Sequence, residues 1–71
     1  MIETTTINGV TRFCVILQIA GEHFVWVFDR HRHMQARYQI AKLAASHTTV
    51  FTWHHAVEAY RLMGQAMRAT R

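Results

Sequence analysis

Two dipeptides, Asn8-Gly9 and Gly21-Glu22, constrain this chain more than anything else in it. Both suit two-residue turns, Asn-Gly in a type I′ turn and Gly-X in a type II′ turn, and such turns join only antiparallel neighbours. Strands are therefore expected over residues 2–7, 10–20 and 23–29. Counting outward from Gly21-Glu22 sets Ile19 opposite Phe24, Leu17 opposite Trp26 and Val15 opposite Phe28. The same count sets Cys14 opposite Asp29 and Ile16 opposite Val27. Side chains alternate along a strand. Phe13, Val15, Leu17, Ile19, Phe24, Trp26 and Phe28 then share one face, with Ile2, Thr4 and Thr6 beside them. The opposite face carries Ile7, Val10, Cys14, Ile16, Val25 and Val27, interrupted by Arg12, Gln18 and His23. A sheet with one solvated face alternates more cleanly than this, so something is expected to cover the second face.

After Asp29 the period changes from two to that of a helix. Gln35, Gln39, Lys42 and Ser46 make one polar stripe, with Ala36, Ile40, Leu43 and Ala44 opposite. Asp29 lies where it can help start this helix. His47-Thr48-Thr49 breaks the pattern, and Val50-Phe51 reads as an extended stub or a short fourth strand. Thr52 reads as the N-cap of a second helix. There His54, Glu58, Arg61, Gln65 and Arg68 form the solvent stripe, and Trp53, Ala56, Val57, Tyr60, Met63 and Met67 the buried one. Gly64 within that helix suggests close packing. The expected fold class is α+β, a three-stranded antiparallel meander followed by two helices packed on one face, in the order β-β-β-α-(β)-α. The core is expected to be Phe13, Leu17, Trp26, Phe28, Ile40, Trp53, Val57 and Tyr60.

Seventy-one residues allow one hydrophobic core, so a single compact domain over 1–71 is expected. A domain this small buries only about 60% of its unfolded surface and is marginally stable unless something reinforces it. Cys14 is the only cysteine, which excludes an internal disulfide and suits a small buried hydrophobe. The N-terminus lacks the basic and apolar regions of a secretory signal. The apolar runs are a few residues long, whereas a membrane helix needs about 20. A cytoplasmic protein without a membrane partner is the expectation.

Enzymatic chemistry finds little material. Glu3, Glu22, Asp29 and Glu58 are the only acids, and the three glycines form no phosphate loop. Cys14 lies mid-strand with no evident oxyanion donors. Six histidines invite a metal reading. However, His31 and His33 stand two apart among arginines, and the adjacent His54 and His55 point in different directions, unlike zinc-ligand spacings. No catalytic, cofactor or metal residue is expected. Protonating several histidines beside Arg30, Arg32 and Arg37 would raise the local charge, but nothing in the sequence supplies a second state to switch to.

Binding is the remaining class. The formal charge is +4, and seven of the eight cations are arginine, which suits carboxylates, phosphates and aromatic faces. Arg30-His31-Arg32-His33 and Arg37 make a basic segment, and Arg61, Arg68 and Arg71 add charge near the C-terminus. Sheets that read RNA display aromatics on the open face, whereas here Phe24, Trp26 and Phe28 are assigned to the helix side. That leaves weak, sequence-independent phosphate contact through the basic segment. The apolar second face fits a protein partner or a homodimer better, because monomers rarely leave such a patch bare. The leading expectation is a non-enzymatic protein-binding regulator or inhibitor. Its contacts are expected at Ile16, Val25, Val27, Arg30, His31, Arg32, His33 and Arg37. Many small proteins of phages and mobile elements, anti-CRISPR inhibitors among them, share this size and type, though no motif here ties the chain to a family. The alternative is a nucleic-acid-binding accessory protein using residues 30–37.

Overall fold

The computed structural model describes residues 1–46 and 49–69. In chain order the elements are β1 (Ile2–Ile7), β2 (Val10–Ile19), β3 (Glu22–Phe28), α1 (His33–Ala45) and α2 (Trp53–Ala69). The strands form one antiparallel sheet in the order β1-β2-β3. α2 lies over β1 and β2, and α1 lies over β3. The fold is thus α+β, a three-stranded meander with both helices on one face. Val50-Phe51 is irregular backbone, so the suggested fourth strand is absent among the described residues. His47 and Thr48, expected to break the helical pattern, lie outside the described residues, as does Arg71.

The first hairpin turns where expected. Asn8 and Gly9 have φ of 54° and 78°, and Ile7 pairs with Val10. Paired hydrogen bonds between Met1 and Ile16, each 2.8 Å, carry this ladder past the start of β1. The second hairpin is a correction. Its turn residues are Ala20 and Gly21, with φ of 53° and 83°, and Ile19 pairs with Glu22. Two consecutive positive-φ residues describe a type I′ turn, whose twist matches that of the strands; the expected type II′ turn needed Gly at its first position. The register therefore slides by two residues. Val15 faces Trp26, Leu17 faces Phe24 and Phe13 faces Phe28, while Cys14 faces Val27 and Ile16 faces Val25. An even slide exchanges partners without exchanging faces, so the aromatic face survives. Thr4 and Thr6 are on the core side but remain exposed at the sheet margin.

Packing is built on a contrast of size. The sheet presents Phe13, Val15, Trp26 and Phe28, all buried, with Leu17, Ile19 and Phe24 beside them. The helices answer mainly with small side chains: Ala36, Ile40 and Ala44 from α1, and Ala56, Ala59, Leu62, Met63 and Ala66 from α2. Alanine lets a helix axis approach an aromatic surface that larger side chains would hold off. This explains a second correction. Trp53 and Val57, expected in the core, are 54% and 64% exposed. α2 is rotated so that Ala56, Ala59, Leu62, Met63 and Ala66 face inward, and Trp53 and Val57 fall outside that stripe. Phe51 is 1% exposed and enters from the segment between the helices. Its ring lies 5.2 Å from Phe24 and 5.4 Å from Trp26, centroid to centroid. At Gly64 the atoms nearest to a Cβ would be those of the Arg68 side chain, at 3.1 Å, so the close approach there is to a flexible side chain of the same helix.

Local hydrogen bonds set the helix starts. Asp29 Oδ1 accepts from the backbone N–H of His31 at 2.9 Å and of Arg32 at 2.8 Å. It thereby closes the turn leading into α1; Arg32 is the N-cap and contributes no side-chain cap bond. At α2, the Thr52 carbonyl accepts from Ala56 N–H, and Thr52 N–H donates to His55 Nδ1, each at 3.0 Å. His55 fills the place that Glu or Gln takes in a capping box.

Two sets of variants test this description by urea unfolding. Nothing lies within 4 Å of a Cβ built at Gly21, so Gly21→Val should lose about 1–3 kcal/mol through backbone strain alone. Ala20→Asn should gain about 1 kcal/mol, roughly 4–8 °C in Tm, because Asn tolerates positive φ. In the core, Phe51→Ala should cost about 3–5 kcal/mol and Ala59→Leu about 1–3 kcal/mol by overfilling. Trp53→Ala should stay within about 0.5 kcal/mol of the parent.

Candidate functional site

Both helices occupy the aromatic face, and among the described residues no layer lies over the other face of the sheet. Val25 is 53% and Val27 62% exposed, and Ile7 and Val10 are exposed as well. Cys14 and Ile16 are half-buried between their neighbours. The register joins Cys14, Ile16, Val25 and Val27 into one patch across β2 and β3, with Ile16 opposite Val25 and Cys14 opposite Val27. Of the expected contact residues, Ile16, Val25 and Val27 are brought together here, although the expected Ile16–Val27 pairing is replaced.

The basic segment is divided by the fold. Arg30 Nη2 donates to the Met67 carbonyl in the last turn of α2, where exposed carbonyls favour a cation. Its guanidinium also lies 5.7 Å from the centre of the Phe13 ring. Arg37 is half-buried and sits 5.6 Å from the Tyr60 ring, and Tyr60 Oη donates to the Arg37 carbonyl at 3.4 Å. These two arginines tie the helices to the sheet and to each other. His31 and Arg32 are exposed, whereas His33 opens α1 and is half-buried. On α2, Arg61 is paired with Glu58, and that hydrogen bond holds the Glu58 carboxyl below its ordinary value.

At one end of β3 a cleft of about 280 Å³ opens between the sheet and α1. Arg12 reaches it from the uncovered face and Arg32 from the turn before α1. Gln35 and Gln39, one helical turn apart, line it from α1, and Val27, Phe28 and Ala36 supply apolar wall. Among the described residues, neither Arg12 nor Arg32 has an ion-pair partner. Sequence reasoning placed Arg12 as a polar interruption of the second face and missed this convergence. The signal was its position one alternation step from Cys14, at the end of the patch nearest Asp29.

Among the described residues, other reactive groups are not assembled. Burial pushes the Cys14 thiol above its ordinary value, and the Glu3 carboxylate opposite it pushes further the same way; both favour the thiol over the nucleophilic thiolate. Among the described residues, no three His, Cys, Asp or Glu side chains converge as a metal site. Among them too, no helix is long and apolar enough to cross a membrane.

The two kinds of arginine should separate in thermal melts. Arg30→Gln removes a helix-end contact and a ring contact and should cost about 1 kcal/mol. Arg32→Gln should leave the melting temperature unchanged.

No protein-family model, curated protein or solved structure matches the chain.

Proposed function

We propose that this chain works by binding another protein through the uncovered face of its sheet, as a non-enzymatic regulator or inhibitor in the cytoplasm. One observation carries the reading. A contiguous apolar patch, centred on Ile16, Val25 and Val27, stands on a sheet whose own helices are committed to the opposite face. Water contact with such a patch costs free energy that a partner surface recovers, at about 25 cal/mol per Å² buried. A small domain with this surface, and with no catalytic groups assembled among its described residues, is a format used by regulators and inhibitors of phages and mobile elements, and that origin is part of the proposal. A second copy of the chain is the simplest alternative occupant.

A nucleic-acid reading draws on the exposed His31 and Arg32 and on Arg12, which has no ion-pair partner among the described residues. Two other arginines of the segment, Arg30 and Arg37, make contacts within the fold, which weakens this reading relative to the first.

The test is the double variant Ile16→Lys, Val27→Glu. Both positions are off the core side, so the variant should unfold within about 1 kcal/mol of the parent. It should lose association with the protein partner recovered from the source cells, or self-association measured by sedimentation equilibrium. Unchanged association would move the contact surface off this face. Tight, sequence-selective DNA or RNA binding at physiological salt would replace the protein reading with the nucleic-acid one.

A further inference from the structure

We infer that the cleft between β3 and α1 is a carboxylate site, which receives a Glu or Asp side chain from the protein that covers the open sheet face. This deepens the protein-binding reading and rests on it for the source of the carboxylate. The chemistry of the cleft is independent of that reading.

Arg12 and Arg32 come from separate parts of the chain and line one opening, with no ion-pair partner among the described residues. A guanidinium fork matches the two oxygens of a carboxylate in plane and spacing. Gln35 and Gln39 add carboxamide N–H donors from a rigid helix. Charge selects among anions. Asp29 also lines the cleft, so two cations and one carboxylate leave a local charge of +1. That balance suits a monoanion and disfavours a phosphate dianion. Asp29 Oδ1 already accepts the His31 and Arg32 backbone N–H groups, and among the described residues Asp29 forms no ion pair with either arginine. Val27 and Ala36 offer apolar wall for the methylenes of an acidic side chain.

Continuity ties the cleft to the docking face. Val27 belongs to both, and Arg12 is on the uncovered face itself. A protein laid over Ile16, Val25 and Val27 therefore reaches the cleft without a gap. The fitting partner has an apolar strip with a Glu or Asp at one end. The exposed guanidiniums are hydrated, so an isolated carboxylate should bind weakly and the site should act mainly in orientation and specificity.

Nitrogen-15 NMR of the full chain tests this with sodium butyrate, against sodium chloride and inorganic phosphate at matched ionic strength. Butyrate should shift the Arg12 and Arg32 Nε–H and the Gln35 and Gln39 carboxamide signals in a saturable way, in roughly the millimolar range. The double variant Arg12→Gln, Arg32→Gln, altered only at exposed side chains, should stay folded and bind butyrate at least about tenfold more weakly. Non-saturating shifts, equal shifts with chloride, or unchanged binding in the variant would overturn the proposal. Phosphate saturating the same signals at lower concentration would also overturn it and favour a nucleic-acid backbone. The two readings fail separately. Butyrate binding with partner association intact in Ile16→Lys, Val27→Glu sinks the docking face and leaves the carboxylate site. Loss of association in that variant without butyrate binding does the reverse.

Discussion

The structure depends on the contact between a sheet of large rings and helices faced largely with alanine. Phe13 and Phe28 are cross-strand partners with ring centroids 5.4 Å apart, and Phe24 stacks near Trp26 at 6.3 Å. Those rings are the bulkiest side chains that the sheet brings to the core. The helices must therefore bring little volume of their own, and Ala36, Ala44, Ala56, Ala59 and Ala66 meet that demand. Phe51 closes the remaining space from the interhelical segment. Other choices follow from this contact: which side of α2 turns inward, where α1 settles, and why both helices share one face.

The same economy leaves the second face bare. Two helices suffice to cover one side of a three-stranded sheet, and the chain supplies no third layer among its described residues. Val25 and Val27 are exposed because β-strands alternate, and half of a β-branched run must point away from the core it serves. The apolar character of that half is what requires explanation, since polar residues would cost the fold nothing there. The protein-binding role proposed for this face supplies a reason.

Electrostatics divides the arginines between structure and surface. Arg30 donates to the Met67 carbonyl and lies by the Phe13 ring, and Arg37 lies by the Tyr60 ring of α2, whereas Arg12 and Arg32 converge on open space beside Val27. A run of basic residues that reads as one patch is thus two groups with different work. Its His-rich surroundings divide likewise: His55 completes the start of α2, while His31 stays in solvent.

The chain's local chemistry determined its strands, its first turn and the membership of each sheet face. Period-two alternation and Asn8-Gly9 act over a few residues, and a register error of two leaves faces intact. α1 was equally legible, because its polar stripe of Gln35, Gln39 and Lys42 is unambiguous. What only the tertiary structure decided was the rotation of α2, the burial of Phe51 and the second turn. Ala20 enters a positive-φ conformation against its own preference because a type I′ turn matches the strand twist. Trp53 and Val57 turn outward because the stripe of Ala56, Ala59, Met63 and Ala66, three and four positions apart, is the one that docks on the sheet. The pairing of Arg12 with Arg32 at one cleft was hidden for the same reason. They are 20 positions apart in the chain, and they meet only once α1 has docked against the edge of the sheet.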